Sequence, residues 1–133
     1  MNRKHDSNDH LWDGRFYSTP LDETHLWIAV RYVELNPVRA GIVECAEEYP
    51  YSSARAHCNG VSDPLLAPSS PFPDPIEDWS RWLKSGITEK EAKELRSKTY
   101  KGEPYGSEPF VSRLEAALGR PLRVGKCGRP KKR

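Results

Sequence analysis

Between residues 59 and 75 the chain carries five prolines (Pro64, Pro68, Pro71, Pro73 and Pro75), Gly60 and three serines (Ser62, Ser69 and Ser70). Proline fixes φ and removes a backbone donor. This stretch therefore resists both helix and sheet and reads as an extended spacer. Everything else has to fold in shorter pieces on either side of it. Twelve prolines in 133 residues, with 36% apolar and 30% charged side chains, predict a small core and long loops.

The longest uninterrupted piece before the spacer is 22–35, which has neither Gly nor Pro, and Pro20 suits a helix entry. Leu26, Ala29, Val30 and Val33 fall at i, i+3, i+4 and i+7 and predict one apolar face. Pro37 disfavours the α region at Asn36, so the helix is predicted to stop near Leu35 or Asn36. Tyr32 and Asn36 share a face at its C-terminal end. His25 falls on the same stripe two turns earlier, and Arg31 and Arg39 flank the line with positive charge. A helical Tyr most often packs, and an Asn before Pro most often closes a turn. The other reading is a nucleophilic Tyr, which needs a nearby cation or metal to stabilise its phenolate.

Upstream, Leu11, Trp12, Phe16 and Tyr17 cluster around Gly14 and Arg15, and 15–18 reads as a short strand. These aromatics either cover a core or stack on nucleic acid with Arg15 on a phosphate. Downstream, Ser52 or Ser53 caps a short helix beginning at Ala54, Tyr49 and Tyr51 pack or stack, and His57 reads as a surface residue.

After the spacer three short helices are expected, forming a minimal bundle. The first covers 76–85 with Trp79, Trp82 and Leu83. The second opens on the capping box Thr88-x-x-Glu91 and runs to about Tyr100. The third is capped by Ser107, carries Phe110, Val111, Leu114 and Leu118, and stops at Gly119. The pair before Lys101 admits a helix-turn-helix reading, but its mixture of Lys, Arg and Glu suits a solvated face better.

Charge is unevenly placed. Residues 120–133 hold seven basic side chains and no acidic one, leaving fourteen basic against nineteen acidic elsewhere. An acidic body with a basic tail points to nucleic acid, the alternative being a solubilising tail. Within it Gly128-Arg129-Pro130-Lys131-Lys132 resembles an AT-hook core, a narrow segment suited to an A·T-rich minor groove. Three widely spaced cysteines without a Cys-x-x-Cys support neither a zinc site nor a disulfide framework, and a reduced cytoplasm is the expected setting. No apolar run approaches the length of a membrane span.

Tyr32-x-x-x-Asn36-Pro37-Val38-Arg39-Ala40-Gly41 followed by Tyr49-Pro50-Tyr51-Ser52-Ser53 resembles the REP-associated tyrosine transposases, bacterial relatives of the single-tyrosine HUH transposases. The block His10-Leu11-Trp12-Asp13-Gly14-Arg15-Phe16 and the C-terminal Gly106-Ser107-Glu108, Phe110-Val111 and 128–132 segments extend the resemblance over most of the chain. It implies an α+β, ferredoxin-like parent domain acting on single-stranded hairpin DNA, with cleavage and strand transfer through a 5′-phosphotyrosine. Tyr32 would be the nucleophile and Asn36 a ligand to a divalent metal, Mg or Mn. Arg15, Arg31, Arg39, Arg129, Lys131 and Lys132 would contact DNA. Members act as monomers or dimers, so a homodimer is also implied.

The family's His-hydrophobic-His metal pair has no counterpart, because His5, His10, His25 and His57 are never two apart. The chain therefore reads as the C-terminal part of such a transposase (1–58), expected to be inactive alone. The spacer (59–75), a helical DNA-binding extension (76–119) and the basic tail (120–133, expected to be disordered) follow. This part is expected to be mainly α with one or two short strands. The alternative is a DNA-binding module without catalysis.

Overall fold

The computed structural model describes residues 16–67 and 76–123, and within them the chain is mainly helical. Helix α1 (Glu23–Glu34) is followed by one helical turn, α2 (Asn36–Arg39), a 3₁₀ turn (Ala46–Glu48) and α3 (Ala54–Asn59); α4 (Trp79–Lys84), α5 (Glu89–Lys101) and α6 (Glu108–Leu118) come after the spacer. The predicted strand does not form over its described part. Residues 16–18 are irregular, and Arg15 lies outside the described residues. Strand pairing among the described residues amounts to an isolated parallel bridge, Leu21 to Tyr105.

The start of α1 is set by Asp22. Its Oδ1 accepts the His25 amide at 3.0 Å and the His25 ring Nδ1 at 2.5 Å, while Oδ2 accepts the Ser107 amide at 2.7 Å. One carboxylate thus caps α1 and fixes the entry to α6, satisfying donors at two helix N-termini. Ser107 occupies the N-cap position of α6 as expected, but its side chain makes no cap hydrogen bond. The Tyr105 amide donates to the Pro20 carbonyl at 2.9 Å, which draws the two segments together. Gly106 is required at this junction: a Cβ there would strike the Phe110 ring and stand 3.0 Å from Asp22 Oδ2.

At its other end α1 stops where expected, at Glu34 with Leu35 as its C-cap, but Pro37 then sits inside a further helical turn. Leu35 adopts φ −83°, ψ −3°, and the next turn starts with Asn36 and Pro37 at its first positions, where a missing N–H costs nothing. This short turn finishes at Gly41, whose φ of 69° is left-handed backbone that favours glycine.

The face that α1 buries also differs from the predicted one. Trp27 and Val30 pack against the cluster of Ala46, Ala54, Trp79 and Leu83, and Glu34 on the same stripe is 1% exposed. Val33, expected inside, is 64% exposed. The stripe is displaced by about one residue because Trp27 meets two indoles from α4, Trp82 at 5.5 Å and Trp79 at 6.3 Å between ring centroids. Large aromatics dominate such packing, so the Trp-bearing side turns inward. Leu26 and Ala29, beside Val33, remain half-buried.

The cluster draws on both sides of the spacer: α4 packs on α3, and α5 on α1. The capping box forms as expected, with the Glu91 amide donating to Thr88 Oγ1 at 3.2 Å and the Thr88 amide to Glu91 Oε2 at 2.8 Å. Among the described residues no helix is long and apolar enough to cross a membrane.

Candidate functional site around Tyr32

Tyr32 sits in the last turn of α1 and is half-buried. The turn that follows is held by backbone bonds from Ala40 to Asn36, Gly41 to Val38 and Ile42 to Pro37, each 2.9 Å. That closed turn brings Arg39 back over the phenol, with its guanidinium carbon 4.7 Å from the Tyr32 ring centroid. The contact is within cation–π range and joins the tyrosine to a positive charge on the exposed surface. Asn36 is exposed on the same turn. Tyr32, Asn36 and Arg39 therefore lie on one continuous helical segment.

Arg31 is used differently. Its Nη1 donates to the Gly86 carbonyl at 2.9 Å, and its guanidinium lies 4.3 Å over the Trp82 ring. Its Nε is buried without a hydrogen-bond partner among the described residues. Burial pushes the guanidinium down from its ordinary range, and the Glu91 carboxylate pulls it partly back. This arginine anchors α1 to the α4–α5 junction. His25, placed by periodicity on the Tyr32 stripe, has its ring bonded to Asp22 and in edge contact with Tyr105 at 4.2 Å. Arg15, Arg129, Lys131 and Lys132 lie outside the described residues.

Two residues after Tyr32, on the other side of the helix, lies a group that sequence reasoning missed. The Glu34 carboxylate receives three side-chain donors: Ser53 Oγ at 2.5 Å, His57 Nδ1 at 2.7 Å and Trp79 Nε1 at 2.6 Å. A buried carboxylate is costly unless it is hydrogen-bonded, and here three donors serve its two oxygens. The partners come from the residue before α3, from α3 and from α4, so Glu34 ties the tyrosine helix to both sides of the spacer. His57, expected at the surface, is half-buried and lies against Trp79, with ring centroids 4.3 Å apart and planes tilted by 41°. Ser53 has its hydroxyl turned to Glu34, while Ser52 Oγ accepts the Ala54 amide at 3.2 Å. Signals existed: Glu34 completes the Trp27–Val30–Arg31–Glu34 stripe, and the serine pair stands directly before α3. Neither identifies the other as its partner.

A cleft of about 580 Å³ opens beside this segment, with Leu35, Val38, Leu83 and Ile87 on its walls and Arg39 among its charged members. Cys45 borders it. Burial pushes the Cys58 thiol up, a shift that a hydrogen bond with Ser80 only partly offsets, which argues against an activated cysteine. Asn36 offers one neutral oxygen donor. Among the described residues no group of three or more His, Cys, Asp or Glu side chains is placed to hold a metal ion. The described donors do not compose a metal site around Tyr32, and no step is derived through one.

Comparison with protein-family models, with curated proteins and with solved structures finds no match to this chain.

Proposed function

We propose that this chain is a single-stranded-DNA-binding protein of the REP-associated tyrosine transposase kind, with Tyr32 as the nucleophile for a 5′-phosphotyrosine link. The observation that carries the reading is the Tyr32–Arg39 pairing on the closed turn bearing Asn36. The guanidinium over the ring stands beside the phenol, where it can meet a phosphate as the phenol approaches it. In the step, the Tyr32 oxygen bonds to phosphorus as the P–O3′ bond breaks; the phenol proton passes to solvent, the departing oxygen takes a proton from solvent to become the free 3′-hydroxyl of the upstream fragment, and the phosphate joins Tyr32 to the 5′ end of the downstream one. The divalent Mg or Mn ion belongs to the proposal only through Asn36, which offers a single neutral oxygen donor on the exposed turn. The ferredoxin-like parent fold, the homodimer and the basic-tail contacts of Arg129, Lys131 and Lys132 belong to the same proposal.

A second reading, a DNA-binding module without chemistry, is favoured by one specific observation. Both described histidines direct a ring nitrogen at a carboxylate, His25 at Asp22 and His57 at Glu34, and the sequence holds no His-x-His pair.

The test is a covalent-adduct assay with labelled single-stranded hairpin DNA and Mg²⁺ or Mn²⁺ on a denaturing gel, with Tyr32→Phe and Arg39→Ala alongside. A shifted band lost in Tyr32→Phe and weakened in Arg39→Ala is the result the first reading expects. Retained binding on a native gel with no covalent band supports the second. No binding to DNA overturns both.

A further inference from the structure

The segment before α1 and the end of α5 together present an aromatic surface that neither the core nor the Tyr32 segment uses. Tyr17 and Tyr100 stack with ring centroids 5.5 Å apart and planes 26° from parallel. Both stand in solvent, 59% and 73% exposed, and Phe16 beside Tyr17 is 91% exposed. A lone exposed ring needs no explanation, but two exposed rings stacked on each other, with a third exposed ring next in the chain, offer more than one base-stacking face. Tyr100 shares a stripe of α5 with Lys93 and Arg96, at i−7 and i−4, and both cations are exposed, as is Lys101 at the helix end. The nearby acids are largely engaged: Glu103 takes Lys98 at 2.7 Å, Glu94 accepts from the Tyr105 hydroxyl at 3.3 Å, and exposed Glu89 reaches Arg96 only at 3.9 Å.

From this juxtaposition we infer that Phe16, Tyr17 and Tyr100, with Lys93, Arg96 and Lys101, form a stacking platform for single-stranded nucleic acid. Unpaired bases lie on the rings and the phosphates follow the cations. The combination is the one that sequence-tolerant single-strand binding requires, because every base has a π face and every linkage a charge. An acidic peptide would meet the cations but leave the rings unused. The inference rests on the DNA-binding reading above and locates a binding surface apart from Tyr32.

The experiment is fluorescence anisotropy on the full chain, using a labelled oligothymidine of about twelve nucleotides, within usual single-strand site sizes, and an abasic oligomer of equal length. Stacking losses on alanine substitution correspond to about 5- to 100-fold in affinity. Tyr17→Ala/Tyr100→Ala is expected to weaken oligothymidine binding within that range and to leave abasic binding unchanged. The Tyr17→Phe/Tyr100→Phe pair restores it, and Tyr51→Ala, at a ring 86% exposed on another segment, has no effect. Lys93→Glu/Arg96→Glu, at exposed positions, weakens both oligomers and reduces the salt dependence. Wild-type-like binding by the alanine pair, or equal losses on the abasic oligomer, would overturn the platform while leaving DNA binding in place. Absence of binding by the wild-type chain would remove the platform and the reading beneath it together.

Discussion

The two ends of α1 are each held by one acidic side chain, and they are held in different ways. At the N-terminus Asp22 is partly solvated, and two of its three donors are backbone amides. At the C-terminus Glu34 is sealed from water, and all three of its donors are side chains from distant parts of the chain. A partly solvated cap contributes a graded amount that water can partly replace. A sealed carboxylate leaves several buried donors unsatisfied if it is lost. The tyrosine lies at the sealed end, so its position depends on residues beyond the spacer.

The sharpest way to break this contrast is Glu34→Ala. Removing one partner from a buried charged network costs about 3–5 kcal/mol, a large share of the stability of a small domain. The expected result is loss of the cooperative thermal transition by circular dichroism. Glu34→Gln, which keeps the shape and one acceptor, recovers part of it.

The next largest effect belongs to the Asp22 end. In Gly106→Ala the new methyl meets the Phe110 ring and Asp22 Oδ2, an overpacking that costs about 1–3 kcal/mol. A lowered denaturant midpoint at unchanged slope is expected.

Asp22→Asn comes third, at about 1 kcal/mol for a weakened cap, and carries a pH signature. Partial burial pushes the Asp22 carboxyl up, but hydrogen bonds from the His25 and Ser107 amides and the His25 ring outweigh it and bring it to about 2, from an ordinary 3.8. A carboxyl with a depressed folded value stabilises above its unfolded value and loses that contribution as pH falls through the folded one. Denaturant midpoints of wild type and Asp22→Asn should differ at neutral pH and converge between pH 3.8 and about 2. A constant gap down to that pH would mean that the cap acts without its charge.

The smallest effect is Val33→Ser, which should change stability by less than about 0.5 kcal/mol, as surface positions do. A larger loss in a melting curve would mean that the Leu26–Ala29–Val33 side of α1 is covered.

Locally encoded features were legible in the sequence. Thr88 and Glu91 lie within one turn of each other, and Gly119 ends α6 as its position implies. Tyr32, Asn36 and Arg39 could be grouped because they share one short segment, although the closed turn that seats Arg39 on the ring runs through a proline expected to stop it. Non-local features were hidden. Periodicity alone picked the Leu26–Ala29–Val30–Val33 face, and only the partners on α4 turn the neighbouring Trp27 stripe inward. Nothing local marked Glu34 as buried, because its donors stand 19, 23 and 45 residues away. A helix that buries Arg31 and Glu34 beside Trp27 and Val30 has no simple apolar signature.

The central structural claim is that a sealed Glu34 joins the tyrosine helix to the part of the chain beyond the spacer. Hydrogen exchange at the Trp79 indole N–H, followed by NMR and assigned with Trp79→Phe, tests it most directly. The bond to Glu34 predicts a Trp79 indole proton that resists exchange in the wild-type chain and loses its protection in Glu34→Ala. A Trp79 indole proton that exchanges freely in the wild-type chain would contradict the claim and uncouple Tyr32 from α4.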